Sequence, residues 1–291
     1  MLNVLDIFSG IGGFSIGLEA ASMQTVAFCE INPFCQKILK KHWPSVPIFS
    51  DITTIHKEDL KALPRIDVIA GGFPCQDISV AGKQKGIEAK RSGLWKEFAR
   101  LINDIRPKYA IIENVANLRS TGLISVLQDL WEIGYNAEWH CIPASAFGAP
   151  HRRDRIWIIA YPTCIGQIGL SVGKEEAESE LGGGSEDVSD SDQQGLQRCG
   201  GFEEISPICS QEQIGMYYCS RGIKQWGEEP LEVPRLKEER LNPDWVEWLM
   251  GYPISWTDGG SRMQRLMALG NSVVPLIPEF LGKAVVNHYS Q

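Results

Sequence analysis

The 291-residue sequence is poor in several things, and each shortage excludes a class of protein. It has no long, continuously hydrophobic run, so no membrane-spanning helix and no membrane partner are expected. Its first residues, MLNVLDIFSG, lack a basic stretch and carry Asp6 early, so they do not read as a signal peptide. Eight cysteines (29, 35, 75, 141, 164, 199, 209 and 219) include no C-x-x-C pair. In a chain of this length they read as reduced thiols of a cytoplasmic protein. Cys199, Cys209 and Cys219 recur every ten residues, but without a nearby histidine they make a weak zinc site, and no metal is expected.

Basic residues are scarce over one stretch in particular. Residues 174–204 hold ten acids and two bases, Lys174 and Arg198. That segment carries the whole net charge of −8, and the remainder is neutral, so a basic cleft elsewhere is compatible with the composition.

What the sequence does have is 43% hydrophobic and 22% charged residues, in an alternation of short β-rich and helical runs. Strands are expected at Val4–Phe8, Thr25–Cys29, Val46–Phe49, Asp67–Ala70, Tyr109–Ile112 and Arg155–Tyr161. Helical spacing covers Gly13–Ser22, Pro33–His42, Lys57–Leu63, Gly93–Ile105 and Thr121–Gly134. The pattern predicts a doubly wound, mostly parallel α/β sheet with ligands at the carboxyl ends of its strands. Three regions are expected: residues 1–165, a smaller region at 166–240 with the acidic insert, and 241–291. In the last, Asn242–Gly251 reads as a helix, and ALGNSVVPLIPEFLGKAVVNH as a turn feeding a final helix.

Chemistry concentrates at the predicted strand ends. DIFSGIGG runs from a strand through glycines into a helix, which lets a ligand approach main-chain N–H groups. Glu30 ends the second strand, where an acid can accept from ribose hydroxyls. G-x-G-x-x-G is absent, so a nucleoside cofactor without a diphosphate suits the loop better than a dinucleotide; a plain tight turn is the alternative. Asp51 is either a partner for an adenine amino group or the N-cap of the following segment. Cys75, in GGFPCQDIS, lies just beyond an apolar strand, stiffened by Pro74. A buried thiol would sit inside the run, and no ligand partner is near, so the nucleophile reading leads. Glu113 follows the next strand at the same edge, where apolar surroundings raise a carboxyl pKa. Arg153 and Arg155 alternate by two ahead of IWIIAY, so on an extended segment they face one side and can clamp a phosphate or carbonyl. A solvated charge run is the competing reading.

Taken in order, these motifs resemble the cytosine-5 DNA methyltransferase family over nearly the whole chain. DIFSGIGGFSIGLE, FCEINPF and FSDIT resemble its cofactor motifs, GGFPCQDIS its nucleophile loop, and IIENV its Glu-Asn-Val motif. ASAFGAPHRRDRIWIIA is similar to its Gln-x-Arg-x-Arg motif, and LNPDWVEWLMGYP and ALGNSVVP to the C-terminal ones. The resemblance implies a Rossmann-like methyltransferase domain with a small target-recognition domain. It implies S-adenosyl-L-methionine as cofactor, contacted by Phe8, Gly10, Gly12, Glu30, Ile31, Asp51, Pro74, Asn271 and Ser272. Cys75 is then the nucleophile and Glu113 its proton partner. Arg153 and Arg155 support the target base and the nucleophile loop, and Gln76 and Ser79 contact DNA. The implied partner is double-stranded DNA, met by a monomer of a restriction-modification, orphan or phage type, with any cognate endonuclease acting separately. One branch of the family methylates tRNA cytosine, which makes RNA the alternative substrate. His151 stands where the family usually has Gln, and Ile31 where many relatives carry an aromatic. The recognition surface is expected within about 205–240, including Trp226 and the bases Arg221, Lys224, Arg235, Lys237 and Arg240.

Overall fold

The structure is a computed structural model describing residues 1–74, 93–163 and 229–290. Contacts divide the chain into Met1–Thr163 with Ile208–Gln291, and Cys164–Pro207; the latter lies outside the described residues.

The first unit is built on a seven-stranded sheet in the order β3-β2-β1-β4-β5-β7-β6. Its strands are β1 (Asn3–Ile7), β2 (Gln24–Cys29), β3 (Ile48–Phe49), β4 (Val68–Gly72), β5 (Tyr109–Val115), β6 (Tyr135–Pro143) and β7 (Asp154–Pro162). The five from β3 to β5 are parallel, and β7 runs antiparallel between β5 and β6. This is the predicted mostly parallel α/β sheet. Its order doubles back at β1, and the β1 and β4 ends open side by side, the place where such sheets hold ligands.

Two apolar layers cover the sheet. On one face lie α1 (Gly13–Ala20), α2 (Pro33–His42) and the C-terminal helices α6 (Pro243–Leu249), α7 (Arg262–Asn271) and α8 (Leu276–Tyr289), packed on Val4, Ala70, Ile111 and Trp157. On the other, α3 (Gly93–Ile105) and α5 (Leu123–Glu132) cover Leu5, Ile7, Ile69, Ile112 and Ile158. A single turn, α4 (Leu118–Thr121), precedes α5 and is separated from it by Gly122. A two-stranded ribbon, β8 (Leu236–Lys237) with β9 (Arg240–Leu241), turns through Glu238 and Glu239, both at positive φ.

The C-terminal helices are integral to the first face. Gly17 of α1 sits so close to α8 that a β-carbon there would stand under 3.0 Å from Pro275 O and Glu279 N. Glycine is what lets the two main chains meet. Arg262–Tyr289 is apolar and long enough by composition to cross a membrane, but it is two helices, largely buried in this fold.

Three elements depart from the sequence reading. Lys57–Leu63 forms successive turns closed by bonds such as Leu60 N to Lys57 O and Leu63 N to Leu60 O. These bonds span three residues and not four, so the segment stays as successive turns up to Pro64. Strand β6 was not expected, because as an outer strand it is only partly covered and shows no clean alternation. Helix α7 runs through Asn271 rather than turning before it, started by a capping box between Ser261 and Gln264.

Candidate active site

Strand β1 ends at Ile7, and the chain turns through Phe8, Ser9 and Gly10 before entering α1. Phe8 and Gly10 adopt φ of 52° and 54°, Gly12 of 87°. A non-glycine residue in this region is strained and is held there by its surroundings. Here Ser9 supplies the hold: its hydroxyl donates to Asp6 O (2.6 Å) and its N–H to Cys29 O (3.2 Å). The two glycines do different work. A β-carbon at Gly10 would meet nothing within 4 Å, so this residue faces open space. One at Gly12 would lie 2.6 Å from the Trp43 ring, so Gly12 is there for packing.

Glu30, buried at the end of β2, braces the loop. Its Oε2 accepts from Gly10 N and its Oε1 from Asn32 N, both at 2.7 Å. With each oxygen fixed by one N–H, the remaining lone pairs point outward as acceptors. Ile31 beside it is 72% exposed and offers an apolar face. Asp51 acts as the cap of the short helical turn Ile52–Thr54, accepting from Thr53 N (2.9 Å) and Thr53 Oγ1 (2.8 Å) through one oxygen, Oδ1. Of the two readings for Asp51, the structure shows the capping one.

Phe8, Ser9 and Gly10 of this loop line a cleft together with Gly13, Phe14, Gly72, Glu113, Asn271, Ser272 and Val273, and Glu30 adjoins it through its bond to Gly10 N. Among the described residues that line it there is no lysine or arginine. Acceptors on Glu30, exposed apolar surface on Ile31 and open main chain at Gly10 suit a nucleoside. Ser272 contributes shape more than bonding, since its hydroxyl is engaged with Leu269 O (2.9 Å).

The second half of the site is on β5 and β7. Glu113 pairs in register with Gly72 of β4 and Trp157 of β7. Its Oε1 accepts from Arg155 Nε at 2.9 Å. A β-carbon at Gly72 would stand 2.5 Å from its Oε2, so glycine at 72 leaves that oxygen its place. Burial pushes the Glu113 carboxyl above the usual carboxylate range, against the opposing pull of Arg155 and Arg153.

Asn114, next in the same strand, is buried and had no separate role in the sequence reading. Its Nδ2 donates to Phe73 O (3.0 Å), and its Oδ1 accepts from Val115 N (2.8 Å). It thereby ties β5 to the chain just before Pro74, which is itself exposed. The signal was its position in IIENV, one residue past the functional acid. Cys75, Gln76 and Ser79 lie outside the described residues. Of the other cysteines, burial pushes the Cys29 and Cys35 thiols up to about 12, which disqualifies them as nucleophiles.

Arg153 and Arg155 do not share one extended face. Arg153 precedes β7 with φ of 36°, and its Nη2 donates to Gly270 O (2.8 Å) and Ser272 O (2.6 Å). His151 likewise reaches the C-terminal region, bonding Leu249 O (2.9 Å). Among the expected recognition bases, Arg235, Lys237 and Arg240 are exposed on or beside the β8–β9 ribbon; Arg221, Lys224 and Trp226 lie outside the described residues. No cluster of potential metal ligands occurs among the described residues.

Residues 2–180 match the family model of C-5 cytosine-specific DNA methylases. The chain belongs to that family. Among curated relatives, it is similar to the type II methyltransferase M2.BsuMI of Bacillus subtilis (strain 168), 37% identical over 167 residues. That alignment covers 55% of this chain and 42% of the relative. M.CviJI of Paramecium bursaria Chlorella virus IL3A is 40% identical over 157 residues, 54% of this chain and 42% of its own. The chain thus spans about two fifths of the length of these methylases (42% of each). Over their whole length, solved structures of S. pombe Dnmt2 methyltransferase (TM-score 0.65, 19% identity, 100% of both chains) and Entamoeba histolytica EhMeth (0.64, 20%, 100% and 99%) share the fold.

Proposed function

We propose that this methylase-family protein is a DNA (cytosine-5-)-methyltransferase that acts on a flipped-out cytosine through a covalent bond from Cys75 to C6. The observation that carries the reading is the mostly buried Glu113, which lines the same cleft as the glycine loop and stands next to Asn114, which grips the main chain two residues before Cys75.

Cytosine C5 is a poor nucleophile until a thiolate adds at C6. In the proposed reaction Cys75 adds there while Glu113, its proton retained by burial, donates toward N3 and offsets charge growing on the ring. Arg155 orients Glu113 through its bond to Oε1. The glycine loop, Glu30, Ile31 and Asn271 would hold S-adenosyl-L-methionine, which supplies an electrophilic methyl group. Loss of the C5 proton then expels Cys75 and restores the ring. Duplex DNA hides C5 and C6, so the base must leave the stack, at a cost of roughly a few kcal/mol. Gln76 and Ser79 are the candidates to contact DNA as it does so. The protein works as a monomer, of a restriction-modification, orphan or phage type, and any paired endonuclease is a separate protein.

Incubation with duplex DNA and methyl-labelled S-adenosylmethionine tests the reading, with tRNA as a parallel substrate. Label recovered as 5-methylcytosine in DNA is expected. Cofactor binding without label in any DNA overturns the reading, and label in tRNA alone moves the activity to RNA. On DNA carrying 5-fluorocytosine, which lacks the proton needed for release, the wild type should form a stable adduct and Cys75→Ala none.

A further inference from the structure

We propose that Arg153 is a positioning residue that ties the cofactor-side loop Gly270–Ser272 to the proton partner Glu113, acting on protein carbonyls and not on the target base. The inference rests on the proposed function, because it concerns how that site is held.

Arg153 is an expensive residue where it stands. It adopts φ of 36°, in a region that a non-glycine residue rarely occupies and that persists only when the surroundings enforce it. Its guanidinium is largely buried beside a second cation, Arg155, and burial lowers its pKa from 12.5 to about 10. No carboxylate forms an ion pair with it among the described residues; the Glu113 carboxylate is bonded by Arg155 instead. What Arg153 touches is two neutral carbonyls, Gly270 O and Ser272 O, both reached by the one nitrogen Nη2. Its Nε is buried with no hydrogen-bond partner. Arg153 thus commits Nη2 to main-chain carbonyls of the C-terminal region.

The two carbonyls flank Asn271, which lines the cleft along with Ser272. Two residues along the chain, Arg155 holds Glu113. The segment Arg153–Asp154–Arg155 therefore grips the cofactor side of the cleft with one guanidinium and the proton partner with the other. Among the described residues, the charged groups facing Glu113 are those same two arginines; β4 presents Gly72, and the C-terminal end of α7 presents Asn271 and its cap Ser272, all uncharged. Asp154 is turned to Arg152 (2.8 Å). Arg153 thus has two separable roles, one of shape through its bonds to the loop and one of charge through its field at Glu113.

Arg153→Lys keeps the charge but is too short to span both carbonyls, and Arg153→Met removes shape and charge together. Calorimetric binding of S-adenosylmethionine to the full chain reads the first role. Its Kd should rise about tenfold or more in both variants, while KM for duplex DNA changes less than about twofold. The pH dependence of kcat/KM reads the second. Arg153 favours the Glu113 anion, so its loss lets Glu113 hold its proton to higher pH, and the Glu113 limb should move up in Arg153→Met but stay in place in Arg153→Lys. Unchanged cofactor affinity with a raised KM for DNA overturns the inference in favour of a base contact. If the wild type itself binds no S-adenosylmethionine, the functional reading fails and the inference with it; if wild type and variants bind it equally, only the inference fails. Should Arg153→Met not fold, the affinity of Arg153→Lys decides.

Discussion

Asp6, buried, and Glu113, mostly buried, are two carboxyl groups on neighbouring parts of one sheet, and their surroundings differ. Asp6 is fully buried, bonded through Oδ2 by Ser15 Oγ (2.7 Å), with Oδ1 unpartnered, and burial pushes its pKa from 3.8 up to about 7. A raised acid is protonated in the folded state when the unfolded chain has already ionised. Stability is therefore lost as pH rises from about 4 to about 7 and is level above that. Asp6→Asn cannot ionise, so its melting temperature should hold between pH 5 and pH 8 while that of the wild type falls, a gap of a few kcal/mol at pH 8. Parallel pH profiles for the two proteins would contradict this. Glu113 differs in having an arginine on Oε1 and an open cleft beyond. Glu113→Gln keeps the shape and loses the proton chemistry, so kcat should fall about 10²–10⁴-fold with cofactor affinity nearly unchanged. Glu113 could be picked out in the sequence by its place at the end of an apolar run, whereas Asp6 is not singled out there as a buried acid. What could not be read were the partners: nothing in HRRDR says that Arg153 turns to the chain at Gly270–Ser272, 117 and 119 residues away. Main-chain carbonyls carry no sequence signal, so contacts to them stay hidden.

Among the elements, legibility followed burial. Strands β1, β4 and β5 are covered on both faces and read as plain apolar runs, whereas β6, at the sheet edge and half exposed, did not. Helix α2 was legible from its apolar spacing, and its cap Asn32 accepts from Phe34 N (2.9 Å). The close fit of α1 on α8 was not legible, because a glycine inside a helix looks the same whether it is an accident or a contact. Gly17 is a contact. In Gly17→Ala the new methyl would press on the main chain at Pro275 and Glu279, which cannot rotate away as a side chain would. The expected cost is about 1–3 kcal/mol, read as a melting temperature several degrees lower. Gly10→Ala is the control, since a methyl there meets no atom within 4 Å and costs backbone strain alone. A fold insensitive to Gly17→Ala would mean that α8 can shift on α1. The segment after α6 is pinned to the cofactor loop in its own way. Trp256 stacks on His42 with centroids 3.5 Å apart, and its indole donates to Ile11 O (2.9 Å), between the two loop glycines.

At the scale of the whole molecule, charge and fold are allotted to different stretches of sequence. The described buried apolar residues of the two layers of the first unit run from Leu2 to Ala160 and from Val246 to Val285. The ten acids of residues 174–204 account for the full net charge of −8, leaving the rest neutral. Replacing residues 174–204 with a short Gly/Ser linker should therefore leave the core intact and remove repulsion toward a polyanion. The melting temperature should stay within about 2 °C, since the described apolar contacts of both layers are kept. Affinity for non-cognate duplex DNA should rise several-fold at about 50 mM salt and converge with that of the wild type near 0.5 M, where the Debye length is only a few ångströms. Fluorescence anisotropy with a labelled duplex across that salt range, alongside thermal melting, separates the effects. A large fall in melting temperature would mean that the acidic stretch belongs to the folded core. An affinity gain that persisted at high salt would mean that it blocks DNA by shape and not by charge.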